Sequence, residues 1–140
     1  MRIFDTPLTV ERAAQLAAYV QTLCANLLRE RATQPILPMY RVYGYNRFQA
    51  CRFGFEATLV NPYTREQRRL GDDLVATLER IDPDAEAMGT REAMRALARV
   101  AKESGNDSRW LRERYHETRS LNDMVRMQAE RWLTAPSPDS

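Results

Sequence analysis

The sequence of 140 residues has the length of one globular domain, and its 44% hydrophobic and 29% charged content is ordinary for a soluble protein. No apolar run approaches the roughly 20 residues of a membrane-spanning helix, and no signal peptide is recognisable, so we expect a cytoplasmic chain that does not associate with membranes. The net charge of only +2 argues against nucleic acid as a partner, because it provides no strong positive field.

The first long helix is predicted to begin near Thr9. The segment Asp5-Thr6-Pro7 gives a turn signal, Thr9 is able to cap the helix, and Glu11 suits its first turn. Pro35 ends the pattern, and Pro38 is expected to keep the following loop from forming a new helix. Helical spacing predicts a buried stripe of Val10, Ala13, Ala14, Ala17, Val20, Cys24, Leu27 and Leu28.

Residues 39–55 are rich in aromatic and arginine side chains and contain no acidic residue. Gly44 and Gly54 frame a predicted two-turn helix over residues 45–53. Beyond it, residues 56–60 and 65–70 predict the strands of a β-hairpin. The arginines of the segment are Arg41, Arg47 and Arg52, and they are interleaved with Tyr40, Tyr43, Tyr45, Phe48 and Phe53.

Three interpretations of this segment are open. The simplest places the aromatic rings in the hydrophobic core and the arginines at its rim. In the second, Asn46, Arg47 or Arg52 contacts an anionic substrate or a nucleotide, since guanidinium groups pair well with carboxylates and phosphates. In the third, the rings and arginines bind single-stranded nucleic acid by stacking and phosphate contacts.

The rest of the sequence is predicted to be helical. Leu74, Val75, Leu78 and Ile81 form one apolar stripe. Pro83 lies in the first turn of a predicted short helix over residues 84–88, which Gly89 closes. Thr90 is predicted to cap a helix that extends to Ser104, and the next helix starts at Asp107 or Ser108. A capping-box pattern from Ser120 to Asp123 precedes the last helix.

These elements predict a mainly α fold with a short β-hairpin and one N-terminal strand, Arg2–Phe4, which has no obvious partner strand nearby. We expect a single helical domain over residues 1–134 and a disordered tail over residues 135–140. Cys24 and Cys51 are expected to be buried, reduced thiols. With His116 as the single histidine, no metal site is predicted.

Three segments, in order along nearly the whole chain, resemble the glutamate–cysteine ligase type 2 family of carboxylate–amine ligases. Residues 2–9, Arg-Ile-Phe-Asp-Thr-Pro-Leu-Thr, resemble the family's E-x-R-x-x-D-T-P strand and turn. Residues 46–57 are similar to its E-N-R-W-x-A-x-R-Y-G-L-D-A stretch, with Tyr45 where the family usually has glutamate. Residues 105–112, followed by Ser120-Leu121, resemble its closing helices.

The resemblance implies a reaction in which ATP and Mg²⁺ phosphorylate the side-chain carboxylate of glutamate and the amine of cysteine attacks the acyl phosphate. It also implies a glutamine synthetase-like α+β fold, in which glutamates on a curved antiparallel sheet hold the metals. The chain corresponds to the C-terminal part of that fold and lacks those glutamates. We therefore expect this part to bind no cofactor and to be inactive alone, with ATP and Mg²⁺ belonging to the full-length family.

The resemblance also indicates which residues could contact substrate and which partners the chain could have. Candidate contacts to substrate or phosphate are Arg2, Asn46, Arg47 and Arg52, and we assign no catalytic residue. For Arg2, pairing with Asp5 or simple solvation is the structural alternative. The expected partner is a missing N-terminal catalytic portion. The alternative is a stand-alone helical binding or oligomerisation module derived from the family, with copies joined through the strand at Arg2–Phe4.

Overall fold

The structure is a computed structural model that describes residues 7–30, 37–103 and 107–134, without the side chain of Pro38. The predicted strand at Arg2–Phe4, the candidate Arg2 and the predicted tail at 135–140 lie outside these residues. The helices are α1 (Val10–Glu30), α2 (Leu37–Phe53), α3 (Leu70–Arg80), α4 (Asp82–Ala87), α5 (Arg91–Lys102), α6 (Asp107–Thr118) and α7 (Leu121–Leu133), and the strands are β1 (Thr58–Val60) and β2 (Gln67–Arg69).

The predicted mainly helical fold with one short hairpin is confirmed. β1 and β2 pair antiparallel, with Thr58 opposite Arg69 and Val60 opposite Gln67. A single turn of 3₁₀ helix, Gly54–Glu56, connects α2 to the hairpin. Among the described helices, none is long and apolar enough to cross a membrane.

The hydrophobic core lies where α3, α4 and α5 meet α1. Leu78, Ile81, Ala85, Met94 and Leu97 form its buried centre, and the half-buried Leu16, Tyr19, Leu23 and Leu74 pack against it. The sequence correctly predicts the turn between α3 and α4, because Pro83 lies in the first turn of α4 and Gly89 ends the unit with a φ of 68°. The apolar stripe of α3 thereby reaches Ile81, which has no exposed surface.

The existence of α1 is predicted correctly, but its buried face is not. The hydroxyl of Thr9 accepts a hydrogen bond from the backbone N–H of Arg12 at 3.1 Å, as expected for a cap. The fully or nearly buried residues of α1 are the polar Gln15, Thr22 and Asn26. Much of the predicted stripe faces solvent instead, since Val10, Cys24, Leu27 and Leu28 are exposed. The expectation that both cysteines are buried is wrong, because Cys51 on α2 is exposed as well.

Thr22 and Asn26 are buried because each finds a partner on another element of the core, whereas Gln15 bonds to Glu11 and Arg12 of its own helix. The hydroxyl of Thr22 lies 2.7 Å from that of Thr90, and it also donates to the carbonyl of Ala18. The side chain of Thr90 does not cap α5 as predicted. Its hydroxyl instead hydrogen-bonds with that of Thr22 and donates to the carbonyl of Ala85. Hydrogen bonding of both groups removes the cost of burying them.

A cluster of ions surrounds Asn26 where α1 ends. Asn26 donates to Asp84 at 2.8 Å and accepts from Arg80 at 2.6 Å. Arg29 makes two further bonds to the carboxylate of Asp84, at 2.9 and 3.0 Å. The bonds from Arg29, and next the bond from Asn26, hold the pKa of Asp84 below its ordinary value. The cluster therefore fixes the end of α1 against α3 and α4.

α6 and α7 pack against each other as a helical hairpin. The backbone N–H of Leu8 donates to the carboxylate of Asp107 at 2.9 Å, which ties the start of this hairpin to the residues preceding α1. Half of the predicted capping box is present, because the hydroxyl of Ser120 accepts from the N–H of Asp123 at 3.2 Å. The other half is not, since the N–H of Ser120 donates to Thr118 and the carboxylate of Asp123 binds Arg126.

Candidate functional site

The arginine and aromatic residues of the sequence lie on α2, which is longer than predicted. The helix begins at Leu37, passes through Gly44 and ends at Phe53, so the two-turn helix expected over residues 45–53 is wrong. Pro38 does not prevent the helix because it occupies the first turn, where its missing N–H is not needed. Gly44 costs an exposed helix about 1 kcal/mol relative to alanine, which is too little to end it.

The inner face of α2 holds the hairpin through Asn46. The side-chain amide of Asn46 donates to the carbonyl of Val60 at 2.9 Å and accepts from the N–H of Val60 at 2.9 Å. These two bonds imitate the pairing of a neighbouring strand, so a side chain of α2 completes the backbone bonding of β1. The structure thus gives Asn46, a candidate ligand contact in the sequence, a structural position.

Replacing Asn46 by leucine is expected to loosen β1. The variant keeps a similar shape but leaves the N–H and the carbonyl of Val60 without their partners, at a cost of about 1–3 kcal/mol in unfolding free energy. Amide hydrogen exchange should show the N–H of Val60 exchanging at least tenfold faster. Gln49→Leu, a half-buried position of the same helix, serves as the control; equal exchange rates in both variants would contradict this role.

The outer face of α2 exposes the rings that the simplest interpretation placed in the core, and that interpretation is wrong. Tyr40 is 68% exposed and Phe48 57%, and the other aromatic residues of the helix are similarly open. The hairpin contacts α2 through β1, a strand of three residues, and Val42, Asn46 and Gln49 are among the half-buried residues of the helix. The exposed large hydrophobic residues of this face are Leu37, Tyr40, Tyr43, Tyr45, Phe48 and Phe53.

The exposed surface of α2 also carries positive charge, on more than one side of the helix. Arg41, Arg47 and Arg52 are exposed, and no carboxylate of the described residues lies within ion-pair distance of any of them. The guanidinium of Arg52 instead lies 5.4 Å from the centre of the Phe53 ring. Elsewhere, arginines of the helical body bind carboxylates, as Arg91 binds Asp82 at 2.7 Å. The outer face of α2 is therefore suited to an anionic partner.

The structure does not bring Asn46, Arg47 and Arg52, the predicted site residues that it describes, into one pocket. Asn46 faces the hairpin, whereas Arg47 and Arg52 face solvent. Because they are five positions apart, these two arginines leave the helix about 140° apart. Arg41 is in line with Arg52, about 16 Å away along the axis at 1.5 Å per residue. Arg41 was not among the predicted site residues, since it precedes both the matched stretch 46–57 and the helix predicted over residues 45–53.

Two cavities flank the first half of α2 where it meets the turn of the hairpin. The larger, about 440 Å³, is lined by Met39, Tyr40, Val42, Tyr43, Asn46 and Pro62. The smaller, about 270 Å³, is lined by Leu37, Arg41, Val42 and Arg65. Arg65, on the turn, is a second residue that sequence reasoning missed. Within the described ranges, no three His, Cys, Asp or Glu residues are grouped closely enough to hold a metal ion.

The sequence motifs indicate a relationship to carboxylate–amine ligases. The sequence model of glutamate-cysteine ligase family 2 matches residues 1–129. The chain belongs to this family, and the resemblance stated from the motifs is confirmed.

Proposed function

We propose that these residues form the C-terminal helical part of an ATP-dependent carboxylate–amine ligase that proceeds through a γ-glutamyl phosphate. In this proposal the part is inactive alone, and ATP, Mg²⁺ and the metal-binding glutamates belong to a sheet-bearing portion that it adjoins. The match to glutamate-cysteine ligase family 2 over residues 1–129 supports the reaction class. The single observation that supports a role for this part is the cationic outer face of α2.

The proposed role of that face is to neutralise anionic groups. Transfer of a phosphoryl group depends on positioning and on stabilising negative charge, which metals and arginines provide. We assign Arg47 and Arg52 to different anionic groups, because they point to different sides of α2. Arg2 is proposed as a third contact, to the substrate carboxylate or the γ-phosphate. Asn46 positions α2 against β1 and so orients both helix arginines.

The acidic residues of the helical body have other roles in this proposal. Asp82 and Glu86 both bind Arg91, at 2.7 and 2.8 Å. Asp84 binds Arg29 at 2.9 Å. These carboxylates hold helices together, which is consistent with metal binding by a different portion of the ligase.

The test is ADP release dependent on ATP, glutamate and cysteine. The 140-residue chain is expected to show no turnover alone, and to support turnover when mixed with the sheet-bearing portion of a full-length member of the family. Arg47→Gln and Arg52→Gln should each lower kcat/KM of the mixture at least tenfold, since each removes charge stabilisation. Arg112→Gln, an exposed position on α6, is the matched control. Turnover by the chain alone, or full activity of both variants, would overturn the proposal.

The exposed rings on α2 favour a second candidate, a helical binding or oligomerisation module derived from the family. In that case the chain self-associates without any other portion. Sedimentation of the same samples separates the two: a chain that stays monomeric at all concentrations and associates only with the sheet-bearing portion supports the ligase part.

A further inference from the structure

The turn of the hairpin holds Arg65 in a backbone conformation that side chains disfavour. Its φ is 65°, in the left-handed region. The turn is fixed by Asn61, whose side-chain oxygen accepts from the N–H groups of Tyr63 and Thr64 at 2.8 and 3.2 Å. The carbonyl of Asn61 accepts from the N–H of Arg65 at 3.0 Å. These hydrogen bonds fix the backbone of the turn and therefore the position of the Cα and Cβ atoms of Arg65.

Arg65 lines the 270 Å³ cavity together with Arg41, so two cationic side chains meet there. Among the described residues, no acidic side chain is in the lining and neither arginine has an ion-pair partner. The nearest acid along the chain, Glu66, accepts a hydrogen bond from the hydroxyl of Thr64 at 3.2 Å. Two like charges at one cavity repel each other, and an anion bound between them relieves that repulsion.

The second cavity supplies an apolar surface beside this charge. Val42 lines both cavities, and the 440 Å³ one is otherwise formed mainly by Met39, Tyr40, Tyr43 and Pro62. Its volume is in the range of sites for small organic molecules. Tyr63 donates from its hydroxyl to the sulfur of Met39 at 3.3 Å, which joins the turn to the helix across this cavity.

We propose that these two cavities bind an organic anion with an apolar body. The carboxylate or phosphate head binds Arg41 and Arg65, and the body lies along Val42 against Met39 and Tyr43. Arg47 and Arg52, which carry the proposed ligase role, lie outside both linings. Failure of one proposal therefore leaves the other unaffected.

The experiment is a calorimetric titration of the full chain with octanoate, inorganic phosphate and 1-hexanol, followed in parallel by amide chemical shifts of Val42. Octanoate is expected to bind at least tenfold more tightly than phosphate or hexanol, because it alone has both a charged head and an apolar body. The shifts of Val42 should change only with octanoate. A phosphorylated alkyl chain of equal length, tested beside octanoate, identifies the preferred head.

Arg65→Gly and Arg41→Gln are each expected to weaken octanoate binding at least fivefold. Glycine suits the φ of Arg65, so the unfolding midpoint of Arg65→Gly should be unchanged or higher and folding is not in question. Arg68→Gln, an exposed arginine on β2, removes the same charge and should bind as the original chain does. The proposal is overturned by absence of octanoate binding, by equal binding of hexanol or phosphate, or by undiminished binding in Arg65→Gly.

Discussion

Replacing Ile81 by alanine is expected to lower the free energy of unfolding by about 2–5 kcal/mol. Ile81 has no exposed surface and lies in the core cluster with Leu78, Ala85, Met94 and Leu97. It also stands at the junction of α3 and α4, so a cavity there is lined by residues of separate helices that cannot easily close on it. The measurement is denaturant unfolding with and without the substitution.

The alanine variant tests packing alone, because the backbone role of Ile81 is preserved. Its N–H donates to the carbonyl of Thr77 at 3.0 Å in a bond that alanine also makes. Leu133→Ala removes a comparable side chain that is 81% exposed, and should change stability by less than about 0.5 kcal/mol. Equal effects at the two positions would show that the core is not where the structure places it.

The second large effect is expected at Asn26, where leucine should cost about 2–3 kcal/mol although it is apolar and of similar size. Asn26 is fully buried, donates to Asp84 and accepts from Arg80. Leucine removes these bonds, so Arg80 loses one partner and the carboxylate of Asp84, whose side chain is 11% exposed, loses another. Asn122→Leu, at an exposed position of α7, is the control and should be nearly neutral.

The same substitution has a signature in the titration of Asp84. Because the bond from Asn26 is one cause of its lowered pKa, that pKa should rise in Asn26→Leu, yet stay below the ordinary value since Arg29 is the first cause. A carboxyl with a lowered pKa stabilises the fold above the unfolded pKa, and this stability is lost as pH falls through the folded pKa. The variant should therefore lose less stability on acidification. An unchanged pKa of Asp84, measured by NMR, would contradict the bonding described here.

The sequence predicts the helices better than the faces they bury. Periodicity of apolar residues located α1 correctly, but the buried positions Gln15, Thr22 and Asn26 are polar and carry no hydrophobic signal. The burial of Thr22 and Asn26 depends on Thr90 and Asp84, which are distant in sequence and become neighbours only in the fold. Local pattern contains no information on such pairs, which is why the wrong face of α1 was predicted.

The site shows the same division. Composition alone identified the arginine and aromatic residues of α2, and the motif around Asn46 identified the family. The sequence predicted strands over residues 56–60 and 65–70, but β1 and β2 have only three residues each, and the rings of α2 stay exposed. Arg65 was missed because its position follows from the bonds that Asn61 makes within the turn.

The hydrogen bond between Leu8 and Asp107 has a consequence for how the chain assembles. It joins residues 99 positions apart, and closing so long a loop carries a large entropic cost unless the intervening helices are already in place. We therefore expect the body from α1 to α5 to form before this bond does. No described residue of α6 or α7 is buried. We therefore expect the α6–α7 hairpin to dock last and to separate first when the protein opens locally.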